Sequence, residues 1–307
     1  MKARTAEALA SLGHWYLRRA PGTLGKAPLA ARYLNPYLRD HPRRRVTQSR
    51  SVSRFAVDTQ DLIQRYIYMF GTWEPHMTRW LSRRLRSGDT FIDVGANIGY
   101  FSLLASQLVG ETGGVVAIEA SPLFHEKALA QARLNGCENV RAINAAVSDV
   151  REALTFTLAS SRNMGANSIV PYDGPAESTF EMQARPLPEL LTEAEIAGAR
   201  VIKIDVEGAE GSVVRGMVPM LDRLRPDVEI TVEVTPERMA RLGDSADELL
   251  ATMKEHGFHV YRLANDYSPA SYPAALRGAP AVPVRWRGPV VDESDLVFSR
   301  VDAETLP

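Results

Sequence analysis

Asp93, Gly95, Asn97 and Gly99 alternate through the run Thr90-Phe91-Ile92-Asp93-Val94-Gly95-Ala96-Asn97-Ile98-Gly99-Tyr100-Phe101. That spacing can cradle a charged small molecule. Gly95 lets the backbone bend sharply and lets a ligand approach where a Cβ would block it. A dinucleotide site asks for G-x-G-x-x-G, with donors aimed at a diphosphate. Here an acid precedes the first glycine, and Asn97 stands between the two. A carboxylate at that place repels a diphosphate but suits a ligand with an ammonium group. S-adenosylmethionine carries an α-ammonium and a sulfonium and no phosphate, so the turn points to it over a dinucleotide. Glu119 ends the apolar run Val115-Val116-Ala117-Ile118, where an acid can accept both hydrogen bonds from a ribose diol. Dinucleotide sites share that feature, so Glu119 supports an adenosine ligand without choosing between them.

Asp205 and Glu233 fall, like Asp93 and Glu119, at or near the ends of apolar runs. In parallel α/β sheets ligands bind outside those carboxyl ends. Four acids on one edge are costly to keep charged unless cations or donors sit among them. The cationic groups of the cofactor, Lys203 and Arg162 are the expected counter-charges. Methyl transfer from a sulfonium is an in-line displacement, so an enzyme must aim the acceptor and take its proton. Asp205 is the first candidate for a role near the sulfonium or as base. Glu207, two residues on, is the second, with capping of the helix expected from 209 an equal alternative. Lys203 faces the same way as Asp205 if the chain is extended there, and either orients that carboxylate or neutralises it. The six histidines include no H-x-x-x-H pair for a metal. His76 and His125 read as surface histidines before bases. Magnesium bridging Asp205, Glu207 and Glu233 is chemically conceivable. Carboxylates near a sulfonium already have a reason to be present, so no metal is expected.

These residues need a βα scaffold to bring them together. Strand 90–94 leads into a helix over 98–109, and strand 115–119 into a helix over 122–135. Ser121 is the expected N-cap there, with Pro122 at the first helical position. A third strand covers 140–143. Stretches 153–158 and 179–185 alternate in β fashion around a Gly/Asn/Ser-rich loop, 160–175, and predict an antiparallel pair beside the parallel order. Strand 201–205 precedes a helix over 209–224 that Pro219 kinks or divides. Strand 228–234, a helix over 245–256, strand 258–263, a long loop over 265–290 and a final strand at 295–298 follow. Upstream, residues 51–70 read as two strands or a strand and a short helix, leading to a helix over 75–86.

The run Val201-Ile202-Lys203-Ile204-Asp205-Val206-Glu207-Gly208-Ala209-Glu210, followed by Val213-Val214-Arg215-Gly216, narrows the case. With Phe91 to Gly99 and Asn144-Ala145-Ala146-Val147-Ser148, it closely resembles the FkbM family of S-adenosylmethionine-dependent methyltransferases. K-I-D-V-E-G-A-E is the specific part, because class I methyltransferases generally share the glycine turn. Gly71-Thr72-Trp73-Glu74-Pro75 is similar to the family's G-x-[YW]-E-P element, and Glu229 to Val234 to its fifth strand. The match runs from about Arg54 to Val234, with a weaker tail to Phe298. The resemblance implies a class I methyltransferase-like, doubly wound α/β fold: a mostly parallel sheet with an antiparallel last strand, plus N-terminal helical and β additions. It adds Glu74 and Ala146 to the expected cofactor contacts Asp93, Gly95, Asn97, Gly99, Glu119 and Asp205. It also implies O-methylation of a hydroxyl on a sugar or secondary metabolite. Carboxylate methylation or N-methylation of a peptide-like product is the alternative.

The net charge of −1 hides an asymmetry: residues 1–50 hold eleven Lys/Arg against two Asp/Glu, and the remainder 25 against 35. A basic arm over 1–50, partly helical, and a methyltransferase domain over 51–307 with its core at 88–300 are the expected parts. Trp15, Tyr16, Tyr33 and Tyr37 give the arm apolar anchors, which favours a lid over the acceptor pocket. The competing reading is a catalytically inactive, methyltransferase-like module that binds a partner through this arm. The Arg43-Arg44-Arg45 run reads as a solvated linker rather than a nucleic-acid or membrane contact. Cys137 alone excludes an intrachain disulfide. No apolar run approaches the roughly 18 residues of a membrane span, and no secretory pattern is expected at the N-terminus. Cytoplasmic residence, a small-molecule or peptide-like acceptor and no nucleic-acid partner are the resulting expectations. A homodimer is left open.

Overall fold

The computed structural model describes residues 2–50, 54–158, 167–170 and 178–306. They fall into two compact units, one running to Arg79 and taking in Asn265–Pro280, the other built from most of the chain beyond Arg79.

The first unit begins with the helix Lys2–Arg19 and a helical stretch over 26–40 whose centre, Leu29–Leu34, is π-helical. Gly13 permits close packing of the two, since a Cβ there would lie 3.3 Å from Leu29. Strands β1 (Arg44–Thr47) and β2 (Phe55–Asp58) pair antiparallel. The helix Leu62–Phe70 is capped by Asp61, which accepts from the Gln64 N–H, and stops at Gly71 with φ 81°. The arginine run is no solvated linker. Arg43 is buried, donating to the Tyr68 hydroxyl at 2.8 Å and to Glu7 at 2.7 Å, while Arg44 and Arg45 lie in β1. Tyr68 and Glu7 supply the acceptors that the local sequence around Arg43 lacks. The expected loop 265–290 also contains structure. A helical turn, Tyr272–Ala275, buries Tyr272 between the rings of Tyr66 and Phe70, at 4.9 and 4.6 Å. The aromatic anchor outweighs the Pro/Ala/Gly composition around it.

The second unit holds an α/β sheet. Its parallel strands are β3 (Thr90–Val94), β4 (Gly114–Glu119), β5 (Val140–Asn144), β10 (Ala199–Ile204) and β11 (Glu229–Val234). A separate four-stranded sheet consists of β6 (Ala146–Val147), β7 (Glu152–Leu158), β8 (Asn167–Ser168) and β9 (Ser178–Arg185). The expected antiparallel pair is therefore β7 with β9, in a sheet of its own rather than beside the parallel strands. Phe156 and Phe180 stack across it at 5.1 Å. Beyond β11 come β12 (His259–Leu263), the short β13 (Val284–Arg285) and β14 (Ser294–Ser299). The large sheet runs β13-β12-β14-β11-β10-β3-β4-β5, with β14 antiparallel to both neighbours. This is the class I methyltransferase-like arrangement, a mostly parallel sheet whose last strand is inserted antiparallel.

The parallel strands read as continuous apolar runs because both faces are covered. Ile92, Val116, Ile202 and Ile230 are buried with Val213, Val214 and Met217 of the helix Glu210–Met217. That helix gives way at Val218 to a 3₁₀ turn, Val218–Arg223, so Pro219 does divide it. The short helix Pro236–Arg241, which the periodicity does not announce, follows β11.

One buried ion pair ties a helix to this sheet. Arg84 Nε lies 2.5 Å from Glu229 Oε2, with the side chains only 10% and 7% exposed. Removing one partner of such a pair strands a desolvated charge. Glu229→Gln should therefore cost about 3–5 kcal/mol in denaturant unfolding. A loss below about 1 kcal/mol, the value of a screened surface pair, would show that water reaches Arg84.

Candidate functional site

Strands β3, β4 and β5 step outward in chain order, and the chain then returns to lay β10 against the other side of β3. The order reverses between β3 and β10, and ligands of open α/β sheets bind at such a reversal. The backbone closes tightly there. The Asp205 N–H donates to the Val94 carbonyl at 3.0 Å, and the N–H groups of Gly95 and Ala96 both donate to the Ile118 carbonyl, at 2.9 and 3.0 Å. Gly95 has φ 81°, and a Cβ on it would lie 1.8 Å from the Asp205 carbonyl oxygen. Asn97 is left-handed at φ 51°, and Gly99 (φ 82°) opens the helix Tyr100–Val109.

The first two acids meet at this turn. Asp93 is 1% exposed and accepts from Ser102 Oγ at 2.5 Å, while its Oδ1 has no partner. Burial raises its carboxyl above the ordinary range, with the Lys203 charge opposing and Asp205 adding to the rise. Glu119 accepts from the Asn97 N–H at 2.7 Å and the Ser121 N–H at 2.8 Å. Burial pushes it to about 7 in spite of both bonds. Ser121 is the N-cap residue of the helix Pro122–Asn135, but its side chain makes no capping hydrogen bond; its backbone N–H donates to Glu119. Asn144 steadies the tip of β4 by donating to the carbonyls of Glu119 and Ala120 at 2.8 and 3.0 Å.

The second pair of acids carries a lysine. Lys203 Nζ lies 2.8 Å from Asp205 Oδ2 and 5.1 Å above the Phe101 ring. Burial by itself would raise Asp205; the Lys203 charge and a hydrogen bond with Glu233 overcome it and hold Asp205 below the ordinary carboxylate value. A bond between two carboxyl groups needs one proton shared between them. Glu207 adopts φ 58° and pairs with Arg238. The neighbouring Glu210, first residue of the helix, accepts through Oε1 from the Gly208 N–H at 2.8 Å, outside the helix, and so holds the bend rather than capping the helix. Burial pushes Glu210 to about 7, and its Oε2 is buried without a partner. Among the described residues no three His, Cys, Asp or Glu side chains are grouped to hold a metal ion.

Asp93, Gly95, Asn97, Gly99, Glu119, Lys203 and Asp205 are thus joined by direct contacts or adjacent backbone. Glu74 lies in the first unit, buried at φ 39°, where its N–H meets the Tyr272 hydroxyl at 3.2 Å. Ala146 opens β6 in register with Ala184, so its backbone belongs to the small sheet. Arg162 lies outside the described residues. Ser102 and Arg238 have no role in the sequence reading. Ser102, three residues after Gly99, had a usable signal: a first-turn hydroxyl facing back toward the preceding strand. Arg238 had none, since only the register of β11 beside β10 brings it to Glu207.

The close approach at Gly95 makes a sharp comparison. Gly95→Ala should lower the melting temperature and abolish binding of S-adenosylhomocysteine by calorimetry, because a Cβ meets backbone rather than a movable side chain. Gly114→Ala, with nothing within 4 Å of its Cβ, should do neither. Normal binding by Gly95→Ala would show that the turn relaxes freely.

A family model described as the methyltransferase FkbM domain matches residues 93–260. Similar curated proteins include a protein-L-isoaspartate O-methyltransferase of Ignicoccus hospitalis, 26% identical over 160 residues, which are 48% of this chain and 67% of the relative. A protein-L-isoaspartate O-methyltransferase 2 of Archaeoglobus fulgidus is 35% identical over 71 residues, 22% of this chain and 32% of that one. A solved FkbM methyltransferase from Methylobacillus flagellatus KT is similar with TM-score 0.43 and 14% identity, covering 77% of this chain and 52% of that structure. This chain thus spans about a third of the Archaeoglobus relative and about half of the solved structure. The family match begins at Asp93 and takes in Glu119, Lys203, Asp205 and Glu233, over more than half of the sequence: the chain belongs to the FkbM family of S-adenosylmethionine-dependent methyltransferases.

Proposed function

We propose that this chain transfers the methyl group of S-adenosylmethionine to a hydroxyl oxygen of a sugar or secondary metabolite. The observation that carries the reading is the Lys203–Asp205–Glu233 cluster beside the Gly95 turn. The donor set suits a cationic cofactor. Asp93 keeps a buried oxygen unpartnered, and Glu119 uses two of its acceptor sites on backbone, which leaves others for hydroxyls. When bound, the cofactor supplies an activated methyl group on a sulfonium. Asp93 would face its ammonium, and Glu119 would accept from its ribose.

Asp205 then has to orient the acceptor hydroxyl and take its proton. A carboxylate held below the ordinary range is a weak base toward an alcohol. It suffices here, because the acceptor oxygen turns strongly acidic as its bond to the methyl carbon forms. Lys203 keeps Asp205 ionised for that moment, and its own position over Phe101 keeps it in place. A second reading, methylation of a carboxylate on a peptide-like product, draws support from the name of the Ignicoccus relative. A carboxylate acceptor is already a nucleophile and needs no base.

Two measurements test these roles. Glu119→Ala should weaken S-adenosylhomocysteine binding by about 1.5–3 kcal/mol, the range for hydrogen bonds to a charged group. Only the ionised carboxylate can accept from both ribose hydroxyls while keeping its backbone bonds. Wild-type affinity should therefore fall as the pH drops through about 7, and Glu119→Gln should flatten that dependence. An unchanged dissociation constant in a folded Glu119→Ala protein would remove the residue from the site.

Turnover tests the base. With a hydroxyl acceptor, Asp205→Asn should slow methyl transfer at least about 100-fold, in the range of general-base contributions. Cofactor affinity measured on the same sample separates loss of the base from a disturbed cofactor site. Incubating the enzyme with methyl-labelled cofactor and extracts of its own cell, then identifying the product, decides the acceptor. A labelled ester, or a turnover barely touched by Asp205→Asn, would overturn the hydroxyl assignment.

A further inference from the structure

The helix Lys2–Arg19 carries apolar residues on a buried face and on an exposed one. Ala10, Gly13 and Leu17, spaced i, i+3, i+7, are buried in the first unit. Leu9, Leu12 and Trp15, spaced three apart on the solvent side, are 63%, 61% and 57% exposed. Tyr16 extends the outer stripe, and its hydroxyl donates to the carbonyl of Leu24, which is itself 85% exposed. A soluble helix ordinarily turns its polar face to water. Here exposed leucines and a tryptophan stand in a group, the mark of an interaction surface. Arg19, seven residues after Leu12 and exposed, continues the stripe, and the helix's one acid, Glu7, is engaged elsewhere by Arg43 and Tyr37.

The charge around this face is cationic and is not neutralised within the unit. Residues 1–79 carry fourteen Lys/Arg against five Asp/Glu. Several of the cations are satisfied by carbonyls rather than carboxylates. Arg18 donates to the carbonyls of Ile67 and Gln48, and Arg50 to those of Phe70 and Arg18. A carbonyl fixes the position of a guanidinium or ammonium group without cancelling its charge. The unit therefore presents an acid-free ridge of Leu and Trp on a strongly positive body.

We infer that this ridge docks on an anionic lipid surface. Leu9, Leu12, Trp15 and Leu24 enter the headgroup boundary, where Trp is favoured, while the cations meet lipid phosphate and carboxylate groups. A bilayer demands no matching shape, only an apolar ridge flanked by positive charge, which is what the helix offers. The mode is peripheral, since no helix among the described residues is long and apolar enough to cross a membrane.

Sedimentation of the full-length protein with vesicles tests the inference. It should pellet with phosphatidylcholine vesicles containing about 30% phosphatidylserine, at least about tenfold more strongly than with phosphatidylcholine alone. High salt should weaken the binding. The double substitution Leu12→Ser with Trp15→Ser removes exposed side chains only, so the melting temperature should hold while the partition coefficient falls at least about tenfold. Failure of the wild type to pellet with anionic vesicles, or equal pelleting of the variant, would overturn the proposal. A wild type that is dimeric and does not pellet, beside a monomeric variant, would overturn it too and assign the ridge to a second copy of the chain.

Discussion

A carboxyl group taken out of water must find a counter-charge, a set of donors or a proton, and the second unit sets this condition at several adjacent places. Their outcomes differ according to what the backbone supplies. Glu119 and Glu210 are met by main-chain N–H groups alone, and burial carries both to about 7. Asp93 has one hydroxyl and the opposing charge of Lys203 across the sheet, and also rises. Asp205 alone has an ammonium group at 2.8 Å, and it is held down. Neighbouring acids on one edge are thereby driven apart in proton affinity, the condition under which identical groups take up different chemical roles.

The register of the sheet creates that difference. Lys203 stands directly opposite Asp93 across the β3–β10 pair, and two residues on, the same edge carries Asp205. One ammonium group therefore sits in the field of both acids and bonds to one of them. The arrangement depends on β10 lying against β3 without a gap, which in turn depends on Gly95 having no side chain at the Asp205 carbonyl. Glu210 completes the bend from the other side by holding Gly208, whose φ of 116° only glycine adopts without strain.

The first unit solves the opposite problem, an excess of cations in a small core. His14 stacks on Tyr68 at 4.1 Å and is pushed down to about 4 by burial, so it is neutral where it packs. Arg18 is lowered to about 10 by burial and by its neighbours Arg50 and Arg19. Arg43 lies over the Tyr68 ring, at 5.8 Å, as well as bonding its hydroxyl. Aromatic faces and carbonyls hold His14 and Arg18 in place of acids, and of the three only Arg43 also meets a carboxylate, Glu7, so the unit stays positive.

How much of the molecule was legible in the sequence depends on the range of each signal. The strand tips were readable because an apolar run fixes where a buried strand ends, and Asp93, Glu119 and Asp205 each lie at or within one residue of such an end. Gly95 was readable because its requirement is local. Pro219 was readable because a missing N–H interrupts a helix once it falls beyond the first turn. The partners of these residues were not. Arg238 reaches Glu207 only through strand order, Arg43 finds its acceptors at Glu7 and Tyr68, far away in the chain, and Tyr272 anchors a segment whose composition says loop. Ser121 shows the same limit at short range. Its type and position predict a side-chain cap, which it does not make, and its backbone N–H donates to Glu119, a bond set by the buried carboxylate two residues back. Sequence thus locates groups whose role is dictated by their own backbone. It loses those whose role is dictated by what another group, brought near by the fold, would cost if left alone.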